Sequence, residues 1–153
     1  MTFALQTNAF PSAGVIPAKY TCSGADLSPE LSWNHAPAST RALVLIMDDP
    51  DAPSGTFTHW ILYNLSSQEK QLPENLPKTE QVLAEALQGR NDFGRTGYGG
   101  PCPPPGRPHR YFFKLYALDT KLNLKAGASR KEVEVAMKGH ILGQAELMGT
   151  FKR

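Results

Sequence analysis

The apolar residues of this chain gather in short runs. The clearest, at positions 41–48, is an uninterrupted series from Ala42 to Met47 closed by Asp-Pro. Continuous rather than alternating apolar character predicts a strand buried on both faces. Positions 59–65 and 111–118 are rich in aromatic and branched residues, which pleated, half-buried surfaces prefer, and predict two more strands. Shorter candidates lie at 3–7 and 146–151. One helix is well marked. Ser129-Arg130-Lys131-Glu132 reads as a capping box, Val133, Val135, Ala136 and Met137 follow, and Gly139 supplies a stop. Positions 79–88 also have helical composition, with Val82, Leu83, Ala86 and Leu87 on one side. Strong strands with one or two short helices predict a mainly β, antiparallel domain.

The composition sharpens this picture. Thirteen Gly and 13 Pro cut the chain into short pieces, which favours strands and turns over long helices. There is no internal repeat, so one domain over 1–153 is expected. A net charge of +2 without any Lys/Arg cluster argues against nucleic acid as a partner. The longest apolar stretch, 42–47, falls far short of the roughly 18 residues of a membrane span, so membrane contact would be peripheral. The N-terminus has neither a basic n-region nor a long apolar run, which predicts no secretory leader and a cytoplasmic location. Cys22 and Cys102 belong to no CxxC pair, which disfavours a thiolate zinc site. Their plain reading is two reduced thiols in a reducing cytosol. A disulfide stays open if the fold brings them together.

Two loops concentrate unusual residues. Asp48-Asp49-Pro50-Asp51-Ala52-Pro53 follows the buried strand, with Thr58-His59-Trp60 opening the next. Residues 97–106 combine Gly99, Gly100, Cys102 and Pro103-Pro104-Pro105, and lead into His109-Arg110-Tyr111. Proline fixes φ, so such loops lose little entropy on ordering around a ligand. His59 and His109 read either as ring donors converging on an anion or as two unrelated histidines. Asp49 and Asp51 admit three roles: turn formers, metal ligands together with the histidines, or acceptors that orient His, Tyr or Arg. No G-x-S-x-G elbow, Walker loop or dinucleotide fingerprint is present, so acyl transfer and nucleotide chemistry lack support.

At these loops the chain resembles the phosphatidylethanolamine-binding protein family. Asp49-Pro50-Asp51-Ala52-Pro53 matches its D-P-D-x-P motif and Gly106-Arg107-Pro108-His109-Arg110-Tyr111 its G-x-x-H-R-Y motif, with His59 at the pocket histidine. Tyr20-Thr21-Cys22-Ser23-Gly24, Ser28-Pro29-Glu30-Leu31-Ser32-Trp33, Asn91-Asp92-Phe93-Gly94 and Ala145-Glu146-Leu147-Met148-Gly149-Thr150 are similar to the bacterial, Raf-kinase-inhibitor-like branch. The resemblance implies a large antiparallel sheet packed with a smaller one and Greek-key connections. It implies a small pocket for phosphate, acetate or a phosphatidylethanolamine headgroup, lined by Asp49, Asp51, His59, Pro104, His109 and Tyr111. It implies a binding protein without a cofactor, a resident metal or a catalytic residue. A cis bond at Ala52-Pro53, and a connection leading to a strand at 79–88 in place of the helix, are further implications. So is a Cys22–Cys102 disulfide tethering the Pro-rich loop, since bacterial relatives often carry the same pair. The loop between Pro53 and His59 is shorter than in animal relatives, and a final strand replaces their C-terminal helix. Inhibition of a kinase or serine protease through the pocket rim is the second reading, and metal-assisted hydrolysis by Asp49, Asp51, His59 and His109 the third. A second copy of the chain is a further partner to consider. With an ordinary imidazole pKa of about 6.5, anion affinity is expected to rise as pH falls from about 8 to about 6.

Overall fold

Strand β3 (Ala42–Asp49) is buried along its whole length, and the molecule is built around it. In the computed structural model, which describes residues 1–153, it is preceded by β1 (Ala4–Gln6), a single 3₁₀ turn at Ala18–Tyr20, and β2 (Leu31–Asn34). It is followed by β4 (Phe57–Ser66), β5 (Gln71–Leu72), β6 (Gln81–Val82), β7 (Ala86–Gln88), β8 (His109–Leu118), helix α1 (Arg130–Met137) and β9 (Ile141–Phe151). The six-stranded sheet runs β6-β7-β4-β3-β8-β9, and the three-stranded sheet runs β1-β2-β5. All pairings of these strands are antiparallel. The chain passes from the β7 side of the large sheet to β8 on the far side of β3, the Greek-key crossover expected. That crossover contains the Pro-rich loop.

Period-two alternation divides β3 between two cores. Leu43, Leu45 and Met47 join the larger core with Trp60, Phe113, Leu115 and residues of the small sheet such as Leu31 and Trp33. Val44 and Ile46 point the other way, into a smaller core with Ile61, Tyr63, Val133 and Met137 of α1. The same alternation sets Asp49 on the larger-core side and Asp48 on the α1 side. Buried Asp48 meets Arg130 Nη1 at 2.8 Å and Lys114 Nζ at 3.0 Å, while its Oδ1 has no partner.

The helix forms as its sequence indicates: Glu132 N–H donates to Ser129 Oγ at 3.1 Å, and Ser129 N–H donates to Glu132 Oε1 at 3.0 Å. Gly139 follows at φ +84°. Residues 79–88 do not form a helix. They make the β6–β7 hairpin, with Leu83 and Ala84 at positive φ, because β4 offers its edge to Leu87 and Gln88. Tertiary pairing overrides a helical composition there.

The N-terminal segment runs as a belt across the molecule. Ala13 N–H donates to Met148 O, Ile16 N–H to Thr150 O, and Val15 pairs in parallel with Thr150 of the last strand. Farther along, Cys22 is joined to Cys102 by a disulfide with Cα atoms 5.3 Å apart, so the reading of two reduced thiols is corrected. Cys22 N–H also donates to Pro101 O, and Gly100 N–H to Asp26 Oδ1. The approach is so close that a Cβ on Gly100 would lie 2.2 Å from Tyr20 O, which explains glycine at this position.

Candidate functional site

The two loops singled out in the sequence meet at one end of the large sheet. They enclose a cavity of about 180 Å³ lined by Asp49, Ala52, Pro53, Phe57, His59, Phe93, Cys102, Pro103, Pro104, His109 and Tyr111. Asp49 stands at the end of β3, and His109 and Tyr111 at the start of β8. On the β8 side, simple alternation aims His109 and Tyr111 into the same space.

His59 reaches the cavity by a different device. Strict alternation would send it with Ile61 and Tyr63 towards α1. In β4, however, Trp60 pairs with Met47 and Thr58 with Asp48, so His59 is one residue more than the ladder holds. This β-bulge turns the ring to the side occupied by Trp60 and Phe57. Bulges commonly re-aim a side chain beside a functional site. Beyond the bulge Thr58 faces α1 and its Oγ1 accepts from Arg130 Nη1.

Each imidazole is fixed through Nδ1. In His59 it lies 2.7 Å from Gly99 O, and Gly99 N–H returns a bond to His59 O at 3.0 Å. In His109 it lies 2.7 Å from Asp49 Oδ2, an ion-pair geometry between two buried side chains. Asp49 Oδ1 in turn accepts Asp51 N–H at 2.7 Å. Burial pushes the His59 pKa down, with the Gly99 carbonyl and Asp49 opposing that shift. Tyr111 is fully buried, and its hydroxyl has no hydrogen-bond partner. Burial first, and the Asp49 carboxylate second, hold its pKa well above the usual phenol range. Phe57, Phe93 and Tyr111 pack around the His59 ring with centroids 4.8–5.4 Å away.

Asp49, His59, Pro104, His109 and Tyr111 are thus brought together, whereas Asp51 does not line the cavity. It turns outward and clamps Arg110, accepting from its backbone N–H and from Nε at 2.9 Å each, and from Nη2 at 2.8 Å. That guanidinium lowers the Asp51 pKa to about 2. No group of three His, Cys, Asp or Glu side chains converges as a metal cage would require. All peptide bonds are trans, so the expected cis bond at Ala52-Pro53 is also corrected. The reversal is made instead by Gly55 N–H donating to Ala52 O, with Gly55 at φ +110°. Sequence reasoning missed Phe57, Phe93 and Pro103 as wall residues. Phe93 carried a signal in its place in Asn91-Asp92-Phe93-Gly94, and Pro103 in its place in the loop at 97–106, whereas Phe57 carried none. Arg153 was also missed: its Nε donates to Pro103 O at 2.6 Å and steadies the outer wall.

A two-sheet β fold with a small His/Asp/Pro-lined cavity at one sheet end defines a class of binding-protein fold, and comparison with known proteins agrees. The model of the family described as phosphatidylethanolamine-binding protein matches residues 6–152, and the chain belongs to that family. A UPF0098 protein of Methanothermobacter thermautotrophicus is 50% identical over 97% of this chain and 98% of its own length. One from Aquifex aeolicus is 53% identical over 96% of this chain and 86% of its own. Among solved structures, a putative phosphatidylethanolamine-binding protein homolog from Chlamydia trachomatis superposes with TM-score 0.91 at 41% identity, covering 99% of this chain and 98% of its own. Escherichia coli YbcL, described as a member of the mammalian family, gives 0.93 at 29% identity over 100% and 99%. No helix of this chain is long and apolar enough to cross a membrane.

Proposed function

We propose that this protein is a non-enzymatic binding protein whose cavity takes a small phosphate-like or other oxyacid group, free or as part of a phospholipid headgroup. The observation that carries the reading is the convergence of the His59 and His109 imidazoles on one cavity of about 180 Å³, with Tyr111 in its wall. That volume lies below the roughly 300–1,000 Å³ of pockets for drug-sized ligands, so it suits a headgroup fragment rather than acyl chains. Apolar Pro and Phe walls exclude water and strengthen each polar contact. No Ser, Thr or free thiol lines the cavity, and Cys102 is held in the disulfide, so neither a hydroxyl of Ser or Thr nor a thiolate is at hand as a nucleophile.

Calorimetric titration with inorganic phosphate and O-phosphoethanolamine, beside the His59→Ala/His109→Ala variant, tests this. Saturable binding near one per chain that the variant loses is the expected result. Binding that the variant retains would move the ligand elsewhere on the protein.

A further inference from the structure

The hydrogen bonds of the two pocket histidines fix which way each ring presents its proton. Gly99 O is a carbonyl oxygen and can only accept, so His59 Nδ1 must carry hydrogen. The Asp49 carboxylate likewise accepts from His109 Nδ1, and its other oxygen is already taken by Asp51 N–H. In a neutral ring the second nitrogen is then a bare acceptor. Neither Nε2 has a hydrogen-bond partner in the protein, and neither is sealed off as the Tyr111 hydroxyl is. Both rings line the cavity. The empty neutral pocket therefore shows a ligand two nitrogen lone pairs beside a carboxylate.

From this donor and acceptor pattern we infer that the pocket selects oxyacid groups that still carry a proton, and so takes hydrogen phosphate in preference to sulfate. The inference rests on the oxyacid reading of the site given above. A P–OH can donate to one of the two Nε2 atoms. A group with lone pairs only would set acceptor against acceptor, leaving buried polar atoms unmatched. Protonating a histidine removes the selectivity, because Nε2 then donates. The groups facing His59 are Asp49 from β3, Tyr111 from β8, the carbonyl of Gly99 and, farther off, Asp26. Those facing His109 are Asp49, Asp51 and Tyr111, with Arg153 beyond Tyr111. The nearest fixed charge to either ring is thus negative.

Hydrogen phosphate and sulfate make the sharpest pair of probes, since at pH 7.5–8 they share shape and nearly share charge but differ by one hydrogen. Calorimetry on the disulfide-intact protein at pH 8 should show phosphate binding at least about tenfold more tightly than sulfate. The ratio should narrow as pH falls below about 6. His109→Gln, whose amide can donate, should raise sulfate affinity and bring the ratio towards one. Independently of any variant, imidazole ¹⁵N shifts of the unliganded protein should show both neutral rings with hydrogen on Nδ1. Equal affinity for phosphate and sulfate at pH 8, or an Nε2–H tautomer in both rings, would overturn the inference while leaving the oxyacid site in place. No binding of any probe at any pH would instead remove the site itself, and the inference with it.

Discussion

At the scale of single residues, the pocket is governed by what burial does to ionisation. The imidazolium of His59 is disfavoured by burial, so its folded-state pKa lies below that of the unfolded chain. The unfolded state then binds the proton first as pH drops, and stability falls as pH passes below about 6.5 towards the folded value. Chemical denaturation between pH 7 and pH 5 should show this loss, and His59→Leu should flatten the slope. Asp51 behaves in the opposite sense. Its contribution is present above about 3.9 and is lost as pH falls through about 2. Asp51→Asn should lower the melting temperature at pH 7, with the difference from the parent protein closing as the medium is acidified towards pH 2. The pocket residues were legible in sequence because they sit in stiff, unusual motifs. Asp51 illustrates the limit: next to Asp49 in sequence, it is pulled outward by Arg110, and no one-dimensional pattern records which carboxylate meets which partner.

At the scale of elements, the ladder irregularity in β4 and the consecutive aspartates of β3 decide which side chains face which core. The apolar run 42–47 suits either register, since a slip by one residue only exchanges branched aliphatic groups between two buried faces. The slip would, however, take Asp49 from His109 and Asp48 from Arg130 and Lys114, so the acidic pair specifies the register. Arg130→Met should leave Asp48 with one cation and cost on the order of 2–3 kcal/mol in urea denaturation. Ser129→Ala, which removes the reciprocal cap of α1, should cost about 1 kcal/mol in the same assay and leave pocket binding unchanged. The long strands and this helix were readable because their signals are local. The β6–β7 hairpin was not, because its 10-residue stretch carries helix formers and takes its form from the edge of β4. The bulge at His59 likewise depends on register with β3, which appears only when both strands are seen.

At the scale of the whole molecule, the disulfide and the belt join the start of the chain to the pocket loop and to β9. Replacing both Cys22 and Cys102 with Ser should cost ~2–5 kcal/mol in unfolding free energy, because a long loop in the unfolded chain is no longer closed. Phosphate binding should weaken as well, since Pro103 and Pro104 would keep only the Arg153 tie. The resemblance to known relatives, and not spacing along the chain, was what suggested the pairing of two cysteines so far apart. The belt also bears on biosynthesis. Residues 13–16 dock on Met148 and Thr150, which are translated about 130 positions after them. This early segment therefore cannot be seated until β9 is made, and the growing polypeptide cannot complete this fold by adding finished pieces in order. Until β9 has left the ribosome, Ile16, fully buried in the finished fold, stays uncovered, and that interval is when the nascent chain most needs protection from aggregation.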